Sequence, residues 1–273
     1  MPTKRPVSRF LAGALASLVA TSAMAADLPS SGLIESGKLT YGVAATFAPF
    51  EFSRDGELTG FDIDMMAALA EKLGAEPVAK NMEFKGLIPA LQGDRIDFIN
   101  SAMYINPARS EQVDFLEYMQ IGNRVVVQAG NPKGITGRDD SLCGMTIAVT
   151  LGGIQESQAR ADDERCTAAG KDGINVMTLP TAQDSALTLR QGRADAIYDS
   201  TPGAVMLLEK VADTYEVVGE EFEQNTRVGM AFRKGETEVK DAVAAALDEI
   251  VADGTYDALV AKWNLPASVS IFK

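Results

Sequence analysis

The chain has 273 residues, of which 46% are apolar and 23% charged, as in a soluble globular protein of one large or two ordinary domains. Lysine and arginine total 25 and aspartate and glutamate 38, which gives a formal charge of −13. So acidic a surface disfavours unspecific binding to nucleic acid or to an anionic membrane face. Histidine is absent, which excludes Ser–His and Cys–His nucleophilic catalysis. With only two cysteines as well, the sequence predicts no metal site and no cofactor.

The first 25 residues have the three-part pattern of a secretory signal peptide. Basic residues precede a short apolar run, and the small residues Ala23 and Ala25 mark a cleavage site. The apolar run is shorter than the ~20 residues that a transmembrane helix needs. We therefore predict export and removal of residues 1–25, with a buried N-terminal helix as the alternative. No cysteine follows the cleavage site directly, so a lipid anchor is not expected.

Cys143 and Cys166 are the two cysteines of the chain. An exported protein meets an oxidising environment, so a disulfide is the first interpretation of this pair. Two buried free thiols are the alternative.

The first half of the mature chain alternates strands with helices. Residues 56–74 predict a turn and then a helix, with Asp62 as the N-cap of the helix and Gly74 as its stop. Its apolar stripe consists of Ile63, Met66, Leu69, Ala70 and Leu73. In chain order, strand, helix, strand, helix and strand are predicted at residues 38–52, 56–74, 76–82, 84–94 and 95–102. This alternation is typical of βαβ units in an open α/β sheet.

The same pattern restarts in the second half. Strand, helix, strand, helix and strand are predicted at residues 145–153, 154–170, 174–180, 182–193 and 194–200. Residues 91–102 and 189–200 both place a helix end, a glycine, an aspartate and a strand in the same order. The fourth residue after that aspartate is Ser101 in one half and Asp199 in the other. The chain closes with a strand and two helices divided at Gly254.

This weak internal similarity indicates two α/β lobes built alike. Links near residues 125–130 and 224–229 join them twice, which makes a hinge and a cleft. In open α/β sheets the ligand lies outside the carboxyl ends of the strands. Residues 101–109, 152–155 and 199–201 follow such strand ends.

Arg109 is the first candidate for binding chemistry. Its planar guanidinium matches a carboxylate with two parallel hydrogen bonds. The alternative is a solvated charge, or a partner for Glu111 or Asp114.

Other residues at the strand ends offer complementary chemistry. Asp199 suits an ammonium group, although an aspartate that caps the following turn is an equal alternative. Gly152 and Gly153 precede a helix whose first N–H groups can bind an anion, or they form only a tight turn. Four aromatic residues form either an apolar wall of the cleft or part of the core. They are Phe47, Phe50, Phe84 and Tyr104.

Seven segments run in order along nearly the whole mature chain: TFAPFEF (46–52), GELTGFDIDMMAALAEKLG (56–74), GLIPALQGDRIDFI (86–99), PARSEQVDF (107–115), AVTLGGIQE (148–156), GRADA (192–196) and DGTYDALVAKW (253–263). Together they resemble the polar amino-acid family, family 3, of periplasmic solute-binding proteins, the receptors of ABC importers. The resemblance implies a type II periplasmic-binding-protein fold, with two α/β lobes, each an open sheet, joined by a two-segment hinge. Residues 26–128 plus 226–273 are expected to form lobe 1, and residues 129–225 lobe 2.

The resemblance also implies roles for individual residues. Arg109 is expected to bind the α-carboxylate of an amino acid or derivative, and Asp199 its ammonium group. The remaining expected ligand residues are Phe47, Phe84, Ser101, Ala102, Tyr104, Gly153 and Ile154. A subgroup of the family has a disulfide where Cys143 and Cys166 stand. An inner-membrane ABC permease is the implied partner of a monomeric periplasmic protein.

Several positions depart from the family pattern. Tyr104 stands where a small serine or threonine is usual, and Gly153 and Ile154 replace hydroxyl residues. The strand before Asp199 is one residue shorter than in many relatives, so Ser200 is an alternative for its place. An enzyme of the cyclohexadienyl dehydratase type shares the implied fold and is the alternative function, with Glu51 or Glu156 as its general acid.

Overall fold

The computed structural model describes Met1, Leu28 and residues 31–272. Apart from Met1, the predicted signal peptide lies outside the described residues. The strands are β1 (Lys38–Val43), β2 (Thr46–Phe47), β3 (Glu51–Arg54), β4 (Glu57–Thr59), β5 (Glu76–Asn81), β6 (Phe98–Tyr104), β7 (Val113–Gln120), β8 (Asn123–Gln128), β9 (Thr146–Thr150), β10 (Asn175–Leu179), β11 (Ala196–Ser200), β12 (Tyr215–Phe222) and β13 (Arg227–Arg233). The helices are α1 (Phe61–Lys72), α2 (Leu87–Gln92), α3 (Pro107–Ser110), α4 (Ile154–Ala168), α5 (Ala182–Arg190), α6 (Thr201–Lys210), α7 (Glu238–Ala252) and α8 (Thr255–Lys262).

Two five-stranded sheets form the centres of two lobes. The first has the order β5-β1-β6-β13-β7 and the second the order β10-β9-β11-β8-β12. In each, three neighbouring strands are parallel and the two strands beyond them are paired antiparallel. The small sheet β2-β3-β4 adds to the first lobe. The predicted open α/β sheets and the two-lobed architecture are confirmed.

The chain passes between the sheets twice. It leaves the first sheet after Gln120 and enters the second at Asn123, and it returns between Phe222 and Arg227. The two crossings touch, because the Ile121 N–H donates to the Thr226 carbonyl at 2.9 Å. Strand β8, which the sequence placed in lobe 1, pairs within the second sheet. Sheet membership alone does not define a domain boundary, so the proposed lobe boundaries stay a prediction.

The start of α1 corrects one expectation, because Asp62 is not the N-cap. The N-cap is Gly60, at φ 138°, where an added Cβ would lie 2.0 Å from the Phe50 carbonyl oxygen. Only glycine tolerates this backbone conformation together with so close an approach. Asp62 is instead completely buried inside the first lobe.

An apolar face of α1 packs on the C-terminal helices. Met65, Met66 and Leu69 of α1 share one buried cluster with Val243 and Leu247 of α7. This cluster covers one face of the first sheet and carries most of the hydrophobic stabilisation of the lobe. Gly254, at φ 83°, separates α7 from α8 as predicted.

The internal similarity of the two halves has a structural basis in two aspartates. The Asp97 carboxylate accepts the backbone N–H groups of Ile34 and Thr40, each at 2.7 Å. In the second lobe the Asp195 carboxylate accepts the Thr146 N–H at 2.8 Å. The two aspartates thus bind strands that hold equivalent positions in their sheets, β1 and β9, at the end away from the cleft.

The disulfide expectation is confirmed. Cys143 and Cys166 are bonded, with their Cα atoms 5.5 Å apart. The bond joins the segment before β9 to the last turn of α4, and Cys166 is completely buried. It closes a loop of 23 residues in the second lobe, which restricts the unfolded chain.

Replacing Asp97 with alanine should lower the free energy of unfolding by about 3 kcal/mol, because one buried and one partly buried backbone N–H group lose a charged acceptor worth roughly 1.5–3 kcal/mol each. Asp195→Ala should have about half that effect, since it removes one such bond. Urea denaturation measures both. Asp94→Asn is the matched control, because Asp94 is an exposed neighbour of Asp97 and asparagine tolerates its left-handed backbone, φ 52°. Its effect should stay within about 0.5 kcal/mol. Equal losses for Asp94 and Asp97 would contradict the interpretation.

Candidate functional site

A narrow cavity of about 40 Å³ lies between the lobes, at the carboxyl ends of their strands. From the first lobe it is lined by Ala44, Thr46, Phe47, Phe84, Ala102 and Tyr104, and from the second by Thr150, Gly153, Ile154, Gln155 and Ala182. Six of the nine predicted ligand residues are among them. The structure therefore brings together predicted ligand residues from distant parts of the sequence, from Phe47 to Ile154.

A wider cavity of about 630 Å³ opens beside the narrow one. The two share Thr46, Phe47 and Ala182. Asp199 lines the wide cavity, together with Met206 of α6. The volume is in the range of small-molecule sites, roughly 300–1,000 Å³.

Arg109 is fixed at the boundary between the lobes. It lies on α3, where Asn106 is the N-cap and accepts the Arg109 backbone N–H at 2.9 Å. Its guanidinium donates to the Tyr104 carbonyl at 2.5 Å and, across the cleft, to the Gly152 carbonyl at 2.8 Å. The guanidinium carbon also lies 5.2 Å from the centre of the Phe84 ring.

The alternatives for Arg109 do not fit this placement. Only 7% of the residue is exposed, so it is not a solvated charge. Asp114 is paired with Lys234 at 2.8 Å, and no carboxylate of the described residues forms an ion pair with Arg109. Burial lowers the pKa of Arg109 to about 10, which still leaves it cationic at neutral pH.

Asp199 lies on the opposite lobe, near the end of β11. Its Oδ1 accepts the Ser200 N–H at 2.7 Å, and within residues 31–272 it forms no ion pair. Gly203 gives the carboxylate room, since a Cβ there would lie 2.6 Å from Oδ1. Burial raises the pKa of Asp199 to about 7. A partly buried carboxylate without a cation is suited to receive one.

Ser200 has a structural task instead. It is completely buried, and its hydroxyl caps α6 by accepting the Gly203 N–H at 3.0 Å. Asp199, rather than Ser200, therefore lines the cavity.

The second lobe also presents the start of a helix. Gly152, at φ 79°, turns the chain out of β9, and α4 begins at Ile154 with Gly153 as its N-cap. Gly153, Ile154 and Gln155 all line the narrow cavity. The first N–H groups of a helix lack intrahelical partners, and the helix dipole favours an anion at this end.

Two predicted ligand residues, Arg109 and Ser101, line neither cavity, and of these Ser101 is turned into the core. It is completely buried, and its hydroxyl accepts the Ala44 N–H and donates to Glu51. Phe50 is likewise a core residue, packed 5.1 Å from Phe47.

The sequence missed a polar bridge between the lobes. The completely buried Asn123 accepts the Tyr104 hydroxyl at 3.3 Å and the Gln155 side-chain amide at 2.8 Å. Asn123 lies at the first crossing, which the sequence indicated only as a β-rich link. Its place two residues before the apolar run Val125–Val127 is the one signal that the sequence offered.

Neither acid of the alternative enzyme lines the narrow or the wide cavity. Glu51 is completely buried, and Glu156 accepts the Gly152 N–H and pairs with Arg160. Within the described part of the chain, no group of three His, Cys, Asp or Glu side chains is placed to hold a metal ion. No helix in that part is long and apolar enough to cross a membrane.

Residues 39–266 match the family model for bacterial extracellular solute-binding proteins, family 3. The chain belongs to this family. It is 34% identical over 231 residues to the L-cystine-binding protein of Escherichia coli K12, which covers 84% of this chain and 83% of that protein. The predicted family is therefore confirmed, and with it the function of a solute-binding receptor.

Two solved structures are similar to this solute-binding protein over most of its length. One is an ancestral arginine-binding protein bound to arginine, 34% identical, with a TM-score of 0.76 over 83% of this chain and 98% of that one. The other is an ancestral amino acid-binding protein described as a precursor of cyclohexadienyl dehydratase. It is 32% identical, with a TM-score of 0.73 over 83% of this chain and 95% of that one.

The charge state of Asp199 should be visible in the pH dependence of stability. Because its pKa is raised from 3.8 to about 7, the folded protein binds the proton more tightly than the unfolded chain. Ionisation therefore destabilises the fold, by an amount that is absent below about pH 4 and complete above about pH 7. Asp199→Asn should match the wild type near pH 4 and exceed its free energy of unfolding by up to about 4 kcal/mol near pH 8, at ~1.4 kcal/mol per pKa unit. Urea titrations of the ligand-free proteins measure this, and a difference that stays constant with pH would contradict it.

Proposed function

We propose that this solute-binding protein is the periplasmic receptor of an ABC importer for a polar α-amino acid, or for a derivative that keeps the carboxylate. One observation carries the proposal: two opposite charges that form no ion pair among the described residues lie on the two sides of the cleft. Arg109 of the first lobe donates across it to the Gly152 carbonyl, and Asp199 of the second lobe lines the wide cavity. A zwitterion complements both.

Arg109 is the proposed partner of the ligand carboxylate. Its guanidinium is already oriented by the Tyr104 and Gly152 carbonyls and rests on the Phe84 ring. An oriented side chain loses little conformational entropy when it binds. The helix start at Gly153 and Ile154 supplies further donors for the same anion.

Asp199 is the proposed partner of the ligand ammonium group. A bound ammonium favours the ionised carboxylate, so the ligand lowers the raised pKa of Asp199. Part of the binding energy thus relieves the unfavourable burial of this charge. Affinity should accordingly increase as the pH rises through about 7.

The wide cavity is proposed to take the ligand side chain. Phe47, Phe52 and Met206 supply apolar surface, and Arg54 and Glu209 place charges of both signs among the lining residues. The relative named for L-cystine and the structural neighbour bound to arginine both concern long amino acids with a charged far end. Tyr104, in place of a small hydroxyl residue, narrows the other side of the cleft and is proposed to restrict which ligands enter.

Binding is proposed to be coupled to closure of the lobes. The bond from Arg109 to Gly152 and the bridge from Tyr104 through Asn123 to Gln155 already join the two sides. A ligand that contacts both lobes adds to these bonds only in the closed state, so it favours that state. Micromolar affinity needs about −8 kcal/mol, which one carboxylate pair, one ammonium pair and an aromatic wall supply.

The proposal also covers where the protein acts, its assembly state and its partner. The protein acts as a monomer in the periplasm after cleavage of its signal peptide, and an inner-membrane permease binds its closed form. It is a receptor and not an enzyme. Support for this comes from the family, from the cavity charges and from the placement of Glu51 and Glu156 away from the cleft.

Isothermal titration with L-cystine, L-arginine and the other common amino acids tests the ligand class. Arg109→Ala should weaken the tightest ligand by at least about 100-fold, because two charged hydrogen bonds are worth roughly 3–6 kcal/mol. Arg109→Lys should recover only part of this loss, since an ammonium lacks the planar fork. Arg95→Ala, which removes an exposed charge from the same lobe, is the control. Unchanged affinity in Arg109→Ala would refute the carboxylate assignment.

Turnover assays with prephenate and arogenate separate the receptor from the dehydratase. We expect no product above the uncatalysed rate. Measurable turnover that is lost in Asp199→Asn would make this cleft an active site.

A further inference from the structure

Two carboxyl groups lie completely buried behind the cleft, in the core of the first lobe. They belong to Glu51 of β3 and Asp62 of α1. None of the lysines and arginines that the structure describes forms an ion pair with either. Buried carboxyl groups without a basic partner are rare, because burying an unpaired charge costs free energy. Hydrogen bonds connect this pair to Ala102 and, through Ser101, to Ala44, two residues that line the narrow cavity.

The pair holds one proton in a defined place. Asp62 receives donors from two sides, the Tyr118 hydroxyl at 2.8 Å and the Ala102 N–H at 2.7 Å, as an ionised carboxylate does. Glu51 Oε1 accepts the Ser101 hydroxyl at 2.9 Å, but Oε2 is buried and finds no donor among the described residues. A proton on Oε2 satisfies this atom by donating to the neighbouring Asp62.

The groups around the pair agree with this proton position. The titratable side chains that face it are three tyrosines, Tyr41 of β1, Tyr118 of β7 and Tyr256 of α8. All three have raised pKa values and stay neutral. Burial, with the nearby Asp62 charge, holds the pKa of Glu51 well above its usual range, and burial raises the pKa of Asp62 to about 7. Glu51 therefore keeps its proton when Asp62 has ionised.

The bonds of the pair end on the floor of the narrow cavity. Asp62 binds the N–H of Ala102, which lines the cavity and has a φ of 38°. A left-handed alanine costs about 1–2 kcal/mol unless something holds it. Glu51 binds the Ser101 hydroxyl, which in turn accepts the N–H of Ala44, a second cavity residue.

The left-handed residue belongs to a bulge in β6. Between two paired positions, one residue of β13, Met230, stands opposite three residues of β6, Asn100–Ala102. A bulge of this kind redirects the side chains that follow it. In this protein the bulge changes the direction of the end of β6. That end carries Tyr104, whose carbonyl accepts a hydrogen bond from the Arg109 guanidinium.

We propose that Asp62 and Glu51 are positioning residues for the ligand, a one-proton carboxyl pair that holds the β6 bulge and so sets where Ala102 and Tyr104 face the cleft. The inference rests on the proposed function, since it concerns the same cleft. The protonation of the pair thereby controls affinity from inside the lobe.

Asp62→Asn is the decisive variant. It keeps size and burial but replaces a charged acceptor with a neutral one, so we expect about a 10-fold loss of affinity for L-arginine and L-cystine at pH 8. Glu51→Gln places a permanent donor where the proton was, and its affinity should stay within about twofold of the wild type. Asp97→Asn is the matched control, because Asp97 is equally buried and binds two backbone N–H groups at the far end of the same sheet. It should lower stability and leave affinity unchanged.

Amide NMR spectra of the ligand-free proteins supply a second readout. The Ala102 N–H, donated to a carboxylate at 2.7 Å, should resonate downfield. In Asp62→Asn, but not in Asp97→Asn, it should move upfield together with the amides of Ala44 and Tyr104. If Asp62→Asn does not fold, Tyr118→Phe replaces it, with a smaller shift of the same amides and a loss of affinity of a few fold.

Wild-type affinity in Asp62→Asn, or an equal loss in Asp97→Asn, would overturn the inference. So would cavity amides that do not respond. A wild-type protein that binds none of the amino acids would refute the proposed function instead. In that event the NMR comparison still decides whether the pair positions the cavity floor.

Discussion

The Arg109 guanidinium carries a positive charge into the boundary between the lobes. Its partners among the described residues are uncharged: the carbonyl oxygens of Tyr104 and Gly152 and the ring of Phe84. A buried cation whose hydrogen bonds reach both lobes links them, and in the proposed function it couples the ligand carboxylate to the closed arrangement. Much of the surrounding structure serves to hold it: Asn106 caps the short helix that carries it, and the β6 bulge sets the carbonyl that orients it.

Chain periodicity was sufficient to predict the fold. Strands alternating with helices gave two open α/β sheets, and the matched positions of Asp97 and Asp195 indicated two lobes built alike. In the structure the two aspartates bind the equivalent strands β1 and β9, so the internal similarity reflects a shared physical task. Asp62 was placed wrongly at a helix N-cap, because a short acidic residue near a helix start is typical of caps. Its burial depends on contacts with Tyr118 and Ala102, which lie 40 or more positions away and leave no local signal.

The candidate site was predicted less completely, and for a related reason. Strand ends locate a cleft, so Phe84, Ala102 and Ile154 could be named from their place after strands. Whether a residue at a strand end turns inward or outward depends on bulges and neighbours. Ser101 was predicted at the ligand but is turned inward, and Asn123 was missed because a chain crossing has no periodicity to mark it.

The two lobes share one arrangement of strands but place their acidic side chains differently. At the fourth position after its strand-binding aspartate, the first lobe has Ser101, whose hydroxyl points inward to a buried carboxyl pair. The second has Asp199, whose carboxylate lines the wide cavity and has an N–H of its own backbone as its nearest donor. The acidic groups of the first lobe are thus buried behind the cleft, whereas Asp199 of the second lobe lines it. For the α-amino acid that we propose as ligand, this division of charge sets a direction. Its carboxylate would point to Arg109 on the first lobe, whose acids are buried behind the cleft, and its ammonium group would point to Asp199 on the second.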